Sequence, residues 1–398
     1  MIHTRNPQRI YIFDTTNRDG EQATAGAIYG IESKLIICRA LANAKIDRIE
    51  AGFPASSQGD FDAVREIAKV VKGPMIFGLA RVPIAGKGAM SYDDINVAYN
   101  AVQDAQYRGI HTFSILFDPH SLSKYGVTQE QVIEGAFKGV KHARHLLGNN
   151  GQVEFSFQNA TIAPIDWVVN GYKAMVEAGA DIINVPDTVG YCYPDEISRL
   201  IKCLRAELSP HAMISIHCHN DLGLAVANSL AAVRAGADIV ECTVNGIGER
   251  AGNTALEEVV MNIVTRQDLY DGRTVAVATE MLNPLSRLVS DHYGMVVQEN
   301  KAIVGENAFR HRSGIHQDGM VKGGLYEIMP PEKVGWTREG YGLTARSGAA
   351  GVRIRLQRLG YDVSVDIIKK AVMPNFKKLA DEKRVVTDSD LKKLMKDI

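Results

Sequence analysis

The chain has 398 residues, 45% of them hydrophobic, 7% aromatic and 23% charged, an ordinary globular composition with length for one large core and a smaller second unit. A formal net charge of −1 leaves no electrostatic footprint for nucleic acid or an anionic membrane surface. No apolar run approaches the roughly 20 residues of a membrane span. The N-terminal MIHTRNPQRIYIFD enters a strand without a signal-peptide core, and five scattered cysteines lack CxxC spacing, so a reducing cytoplasm is expected rather than a disulfide framework or a structural zinc site.

From residue 9 short apolar strands alternate with amphipathic helices. Strands are expected at 9–14, 48–52, 75–80, 112–117, 153–157, 182–186, 213–217 and 239–244, and helices near 31–45, 58–72, 91–108, 128–147, 165–178, 194–207, 221–235 and 254–266. Gly-Ala-Asp punctuates two helix-to-strand returns, at 179–181 and 236–238. Eight strands and eight helices in strict alternation is the count of an α/β fold of the (β/α)8 TIM-barrel type. The open doubly wound sheet is the competing arrangement, but no GxGxxG follows the first strand. The barrel is assigned to 1–275. A linker subdomain (276–327) follows, opening with a helix at 283–293 and continuing into a polar, Gly-, Arg- and His-rich segment without a period. A mostly helical appendage (328–398) ends the chain, with patterns at 348–359, 365–379 and 388–397.

The stretch Ile214-Ser215-Ile216-His217-Cys218-His219-Asn220 reads as a buried strand ending in two histidines. Side chains alternate along a strand, so His217 and His219 point to one side, about 7 Å apart at their Cα atoms, while Cys218 faces the other way. Two satisfied histidines at a strand end are the plain alternative to a shared metal ion. Polar residues collect at the other strand ends too: Arg18-Asp19, Glu50, Gln158-Asn159, Asp187-Thr188, Asn245 and Glu249. In a barrel these ends meet at the one face that carries active sites. His217, His219 and the carboxylate of Asp19 would form a facial ligand set with open positions. Such a set suits Zn²⁺ or Mn²⁺ better than Ca²⁺ and polarises a carbonyl. Arg18, beside Asp19, suits a developing enolate or oxyanion. The Gly-rich turn 245–253 offers backbone N–H groups that could cradle an anion.

The runs FDTTNRDGEQ (13–22), IEAGFPASS (49–57), NVPDTVGY (184–191), SIHCHNDLG (215–223), CTVNGIGERAGN (242–253), NKAIVGENAF (300–309) and SGIHQDG (313–319) together resemble the α-isopropylmalate synthase family, with its citramalate and homocitrate synthase relatives and, more distantly, the 3-hydroxy-3-methylglutaryl-CoA lyases. The resemblance spans about residues 9–335. It implies a metal-dependent Claisen-type condensation of acetyl-CoA with a 2-oxo acid, then thioester hydrolysis to a 2-alkylmalate-type product and CoA, as in leucine biosynthesis. By position it implies that Asp19, His217 and His219 bind Zn²⁺ or Mn²⁺ with Asn253 next to it, and that Arg18 stabilises the oxyanion. Thr188 would hold the substrate carboxylate, with Gln22, Asn184, His120 and Gln158 as further substrate contacts and Glu249 among the catalytic groups. His316 and Tyr326 would help deprotonate acetyl-CoA from the partner subunit's appendage, which implies a swapped homodimer.

Several positions depart from the family pattern. Asn17 stands where Leu is usual, and Gln158-Asn159 stands where a Glu-Asp pair is usual. Leu116 and Phe117 are bulkier than the Ala-Thr-Ser run expected before His120, and Arg310, Arg312 and Arg346 enrich the appendage in cations. These departures leave open whether the acceptor is 2-oxoisovalerate or a different, more anionic 2-oxo acid. No β-rich regulatory pattern is found after the appendage, so no leucine feedback inhibition is expected. A lyase running the same enolate chemistry in reverse, and a non-catalytic paralogue motivated by the loss of the acidic pair, are the competing readings.

Overall fold

The structure is a computed structural model and describes residues 5–23, 30–88, 90–114, 117–311, 313, 316, 319, 326–336, 343, 347–383 and 386–396. Two compact units divide the chain, Met1–Val297 and Gln298–Ile398.

The first unit is a closed barrel of eight strands in sequence order. They are β1 (Tyr11–Asp14), β2 (Arg48–Gly52), β3 (Met75–Arg81), β4 (Arg108–Ser114), β5 (Gly151–Phe157), β6 (Ile182–Asp187), β7 (Met213–Cys218) and β8 (Ile239–Cys242). All neighbours run parallel, and β8 returns to β1 through the Tyr11↔Ile239 to Asp14↔Cys242 register. The joining helices are α1 (Ile31–Asn43), α2 (Gln58–Val70), α3 (Asp93–Val102), α4 (Pro119–Tyr125), α5 (Gln129–Leu147), α6 (Ile165–Ala178), α7 (Pro194–Glu207), α8 (Ala225–Ala235) and α9 (Leu256–Thr265).

Strand periodicity sorts the core. One face of the strands packs mainly Ile and Val, with Phe155 and Phe157 on β5, against the helices; the other fills the barrel. At the N-terminal end the filling is mostly apolar: Tyr11, Phe13, Met75, Phe77, Ile182, Met213 and Ile239 form one cluster, with the buried Arg48 guanidinium over the Tyr11 ring. Gly109 on β4 makes room for it, because a Cβ there would sit 2.2 Å from the Phe77 ring. Toward the C-terminal end the filling turns polar, with Glu50, His111, Glu154, Asn184, Ser215, His217 and Glu241 all buried.

The fourth strand differs from the sequence expectation. It starts at Arg108 rather than 112, and α3 ends at Val102. Arg108, Gly109 and His111 lack the apolar signature, because His111 faces a polar part of the barrel. The stretch after it forms the extra helix α4, in which Asp118 caps the first turn by accepting from Ser121 N (2.9 Å) and Pro119 supplies a fixed φ. The unit boundary also falls later than residue 275. The helix α10 (Leu282–Tyr293) belongs to the barrel unit: Tyr293 Oη donates to Thr16 O (2.8 Å), and Ser286 O accepts from Asn245 Nδ2 (2.9 Å).

The second unit packs Leu343, Val352, Leu356, Ile368, Val372, Phe376, Ala380, Val386 and Leu391 into its own core. Its helices are Ala349–Arg358, a run through Val365–Ile367, Ile368–Val372 and Met373–Glu382, and Asp388–Lys396. The middle stretch of that run is a π turn just before Pro374, whose missing N–H disturbs the regular ladder.

Asp14, at the end of β1, generates a stability prediction. It is fully buried and accepts from Thr16 N (3.0 Å) and Thr16 Oγ1 (2.7 Å). Burial pushes its carboxyl up to about 7 against the bonds from Thr16, with Glu257 adding to the rise. The folded state therefore holds a proton that the unfolded chain has released, and stability falls as pH rises from about 4 to about 7. Asp14→Asn should flatten that slope and stabilise the protein above pH 7 by up to about 4 kcal/mol, from roughly 1.4 kcal/mol per pKa unit. Urea unfolding of both forms at several pH values checks this; parallel curves would contradict it.

Candidate metal centre and active site

After β1 the chain turns so that the amides of Arg18, Asp19 and Gly20 all donate to Thr15 O, at 3.1, 2.9 and 3.2 Å. This tight turn fixes Arg18 and Asp19 at the barrel mouth. Gly20 is required there, because a Cβ would lie 2.9 Å from Ile247 of the loop after β8. Across the mouth β7 delivers His217 and His219. Asp19 Oδ2 lies 3.0 Å from His217 Nε2 and 3.8 Å from His219 Nε2, and the two imidazole nitrogens are 3.3 Å apart. All three residues are buried.

Three electron-pair donors turned toward one point inside a protein call for a cation. Glu241 on β8 lies 2.8 Å from His217 Nδ1, which places the ring proton there and leaves the Nε2 lone pair facing Asp19. Asp19 Oδ2 and Asn253 Oδ1 are buried without a hydrogen-bond donor. These orphaned oxygens, the fixed tautomer and the facing imidazoles fit a divalent metal bound by Asp19, His217 and His219. Without a cation, burial works against a charge on His217, but the adjoining carboxylates of Asp19 and Glu241 raise its pKa to about 9. Burial and the neighbouring His217 push His219 down to about 3. Burial alone would raise Asp19, yet Arg18 and His217 hold it far below the usual carboxylate range.

Asn253 reaches this cluster by a route that spacing alone does not reveal. The loop after β8 doubles back along the end of β7: Asn220 N donates to Gly252 O (2.9 Å), Thr254 N to Cys218 O (3.0 Å), and His219 and Asn253 form an antiparallel bridge. The amides of Gly246, Ile247, Gly252 and Asn253 donate to carbonyls of the same loop, so the expected anion cradle is not formed by these groups. Glu249 is exposed and lies 3.6 Å from Arg250 Nη1. Arg250 in turn clamps the mouth, donating to Asp221 Oδ1 (2.8 Å) and Thr188 O (2.7 Å).

Arg18 lies behind the cluster. Its Nε donates to Glu50 Oε2 (2.5 Å) and its Nη1 is 3.5 Å from Asp19 Oδ1. Burial opposes the charge on Arg18, but Glu50 and Asp19 outweigh it and keep the guanidinium cationic. Burial likewise opposes ionisation of Glu50, yet Arg18 and His111 bring it down to about 2. The chain of contacts continues through His111 Nδ1 to Glu50 Oε1 (2.7 Å), His111 Nε2 to Ser156 Oγ (2.6 Å) and Asn184 Nδ2 to Ser156 Oγ (2.9 Å). His111, Ser156, Glu154 and Glu241 escaped the sequence reading. Their one signal was a polar residue at an inward position of an otherwise apolar strand.

The remaining site residues are scattered in environment. Thr188 is half-buried and accepts from Asn159 N (3.0 Å). Gln158 is half-buried at the end of β5, while His120 is exposed on the first turn of α4. Gln22 is exposed and, with Arg18, Glu21, Lys34, Phe53 and Asp60, lines a cavity of about 510 Å³. Asn17 is structural: its Nδ2 donates to Lys34 O (3.0 Å) and its Oδ1 accepts from Tyr293 Oη (3.3 Å). Phe117 stacks on Phe157 at 3.9 Å, and that pair packs against Gly171 of α6, so Phe117 fills the strand–helix layer. Leu116, Arg312 and Arg346 lie outside the described residues. Within the second unit the rings of His316 and Tyr326 stack at 4.3 Å, and His311 lies 5.9 Å from His316.

Residues 9–289 match the HMGL-like family model, and residues 303–384 match the homocitrate synthase post-HMGL domain-like model. The chain is 45% identical to 2-isopropylmalate synthase of Pelotomaculum thermopropionicum, with 98% of this chain and 75% of that protein covered. It is 47% identical to the enzyme of Nitrosomonas eutropha (98% and 74% covered) and 45% identical to that of Pyrococcus abyssi (98% and 78%). Hydroxymethylglutaryl-CoA lyase from Pseudomonas aeruginosa shares the fold, with a TM-score of 0.59 at 17% identity over 76% of this chain and 96% of that one. The carboxyl transferase domain of Rhizobium etli pyruvate carboxylase does so with a TM-score of 0.56 at 18% identity, over 98% and 60%.

The centre predicts one ion per chain. His217→Ala should lower bound Zn²⁺ or Mn²⁺ to background in elemental analysis of the purified protein. Metal content equal to the parent's would contradict the ligand assignment.

Proposed function

The chain belongs to the 2-isopropylmalate synthase family, and on that premise we propose that it is an acyltransferase condensing acetyl-CoA with a 2-oxo acid at the Asp19–His217–His219 centre and hydrolysing the resulting thioester to a 2-alkylmalate and CoA. The observation that carries this reading is the convergence of Asp19 Oδ2 and the two imidazole Nε2 atoms at the barrel mouth, with Arg18 beside them. A divalent ion held there would supply Lewis-acid polarisation of the acceptor's ketone and an anchor for its carboxylate. Asn253, whose backbone bridges that of His219, is assigned the position next to that ligand set.

Arg18 is held by Glu50 in a fixed orientation, which suits stabilising an oxyanion as it forms, since its donors need no reorganisation. Thr188 is assigned the acceptor carboxylate. Asn184 and Gln158 are assigned further contacts from inside the mouth, and Gln22 and His120 contacts from its rim. Glu249 keeps a place among the catalytic candidates only through the motif it belongs to, because its exposure and pairing with Arg250 favour a role in loop shape. His316 and Tyr326 are assigned the proton transfer at the acetyl methyl group. Their stacked rings put an imidazole and a phenol, both groups able to move protons, side by side. We further propose Zn²⁺ or Mn²⁺ as the ion, a cytoplasmic setting, and a homodimer with a swapped C-terminal appendage, in which His316 and Tyr326 of each chain serve its partner.

Asn17 and Phe117 have structural uses, so the acceptor we propose is 2-oxoisovalerate, which yields 2-isopropylmalate with acetyl-CoA. Free-thiol release from acetyl-CoA with Mn²⁺ or Zn²⁺ present, across 2-oxoisovalerate, pyruvate, 2-oxoglutarate and aromatic 2-oxo acids, tests this. Release is expected to be fastest with 2-oxoisovalerate; silence across the panel from metal-loaded protein would sink the condensation reading. His316→Ala should keep metal and 2-oxo acid binding and lose turnover by about 10²- to 10⁴-fold, the usual worth of a positioned general acid or base. A near-parental kcat would remove His316 from the chemistry.

A further inference from the structure

Three carboxyl groups stack inside the barrel below the metal centre. Glu50 on β2 and Glu154 on β5 are 0% exposed, and Glu241 on β8 is 1% exposed. Two of them have clear partners. Glu50 is engaged by Arg18 and His111, and Glu241 by His217 Nδ1 at 2.8 Å and Ser215 Oγ at 3.4 Å. Glu154 differs: neither carboxyl oxygen meets a hydrogen-bond donor. Yet ligand atoms of His111, Glu154 and Glu241 all lie within 4.8 Å of one another.

His111 is already committed, with Nδ1 facing Glu50 and Nε2 facing Ser156, so it neither serves Glu154 nor offers a lone pair to a second ion. Arg48 on β2 is the remaining cation that bears on Glu154. It is itself fully buried, gives Nη2 to Gln152 Oε1 (3.1 Å) and lies 4.6 Å over the Tyr11 ring. Two ionised carboxylates at such close range in a water-free core would repel with little screening. One of them must hold a proton. Glu241 already faces two donors, His217 Nδ1 and Ser215 Oγ, while neither oxygen of Glu154 meets one, so Glu154 is the group placed to carry the proton.

We propose that Glu154 is a neutral carboxylic acid that donates its proton to Glu241, and thereby acts as a positioning residue for the metal ligand His217. The relay runs from Glu154 through Glu241 to His217, a third layer behind the metal that fixes ring orientation without touching ion or substrate. Burial, and then the charge of Glu241, hold the Glu154 carboxyl well above the usual carboxylate range, with Arg48 opposing, which agrees with this assignment. The proposal rests on the metal-centre reading of Asp19, His217 and His219.

The test titrates Mn²⁺ into the metal-free full-length chain by calorimetry, for the parent, Glu154→Gln and Glu154→Leu. Infrared difference spectra of parent against Glu154→Gln are taken at mildly alkaline pH. Glutamine keeps a donor of the same length without charge, so Glu154→Gln should bind Mn²⁺ within about twofold of the parent. Leucine removes the donor, and affinity should fall about 10- to 100-fold, the usual cost of losing support behind a ligand. The parent spectrum should show a protonated-carboxyl band absent from Glu154→Gln, a readout that survives if Glu154→Leu does not fold. Glu154→Leu binding like the parent, Glu154→Gln as weak as Glu154→Leu, or no such band would overturn the proposal. A second ion per parent chain, lost in Glu154→Gln, would overturn it in favour of a metal site at His111, Glu154 and Glu241. If the parent binds no Mn²⁺, the metal-centre reading fails on its own, while the infrared band still reports on Glu154.

Discussion

Everything at the barrel mouth answers to one electrostatic constraint: a carboxylate oxygen and two imidazole nitrogens are held within 3.0 to 3.8 Å of one another where water is scarce. Lone pairs so placed repel unless a cation or a proton lies between them, and the fold spends its most demanding features on keeping them there. The turn that gathers three amides onto Thr15 O fixes Asp19, the parallel register of β7 on β8 sets Glu241 behind His217, and the doubled-back loop brings Asn253 against His219. Each of these is a backbone device, which is why the cluster does not depend on flexible side chains finding one another.

A second layer of charge supports the first. Arg18 would be costly to bury alone, but Glu50 neutralises it, and Glu50 is steadied by His111, Ser156 and Asn184 from three further strands. Buried polar networks of this kind cost more than they contribute unless every member is satisfied. The barrel limits that cost by segregating its interior: a mostly aromatic and aliphatic plug at the N-terminal end, and ionisable groups gathered above it. The plug excludes water from below, so the fields of Arg18 and of a bound ion act in a medium of low polarisability, where stabilising an oxyanion is most effective.

The barrel itself was legible because two periods, near 2 and near 3.6, alternate eight times, and because the β/α unit places all strand C-termini on one face. The His217/His219 pair was legible for the same reason, since i and i+2 on a strand share a side. The strand β4 was misplaced because its inward residue is His111 and its first residues are Arg and Gly, so apolar periodicity pointed past it. Glu154 and Glu241 were hidden for a related reason: the outward faces of β5 and β8 supply the hydrophobic signal, and nothing in one sequence says that a lone inward carboxylate meets another from a distant strand. Asn17 and Phe117 illustrate the converse. Both depart from the family pattern and suggested an altered acceptor pocket, yet one ties α1 to α10 and the other fills the layer behind β5.

The central claim is that Asp19, His217 and His219 hold one ion that engages a 2-oxo acid. Anomalous diffraction from crystals grown with Mn²⁺ and 2-oxoisovalerate tests it most directly. The account predicts a single strong peak within about 2.0 to 2.3 Å of Asp19 Oδ2 and both Nε2 atoms, with the acceptor's carboxylate and ketone oxygens completing the coordination. A peak elsewhere in the barrel, or an acceptor bound away from the ion, would contradict it.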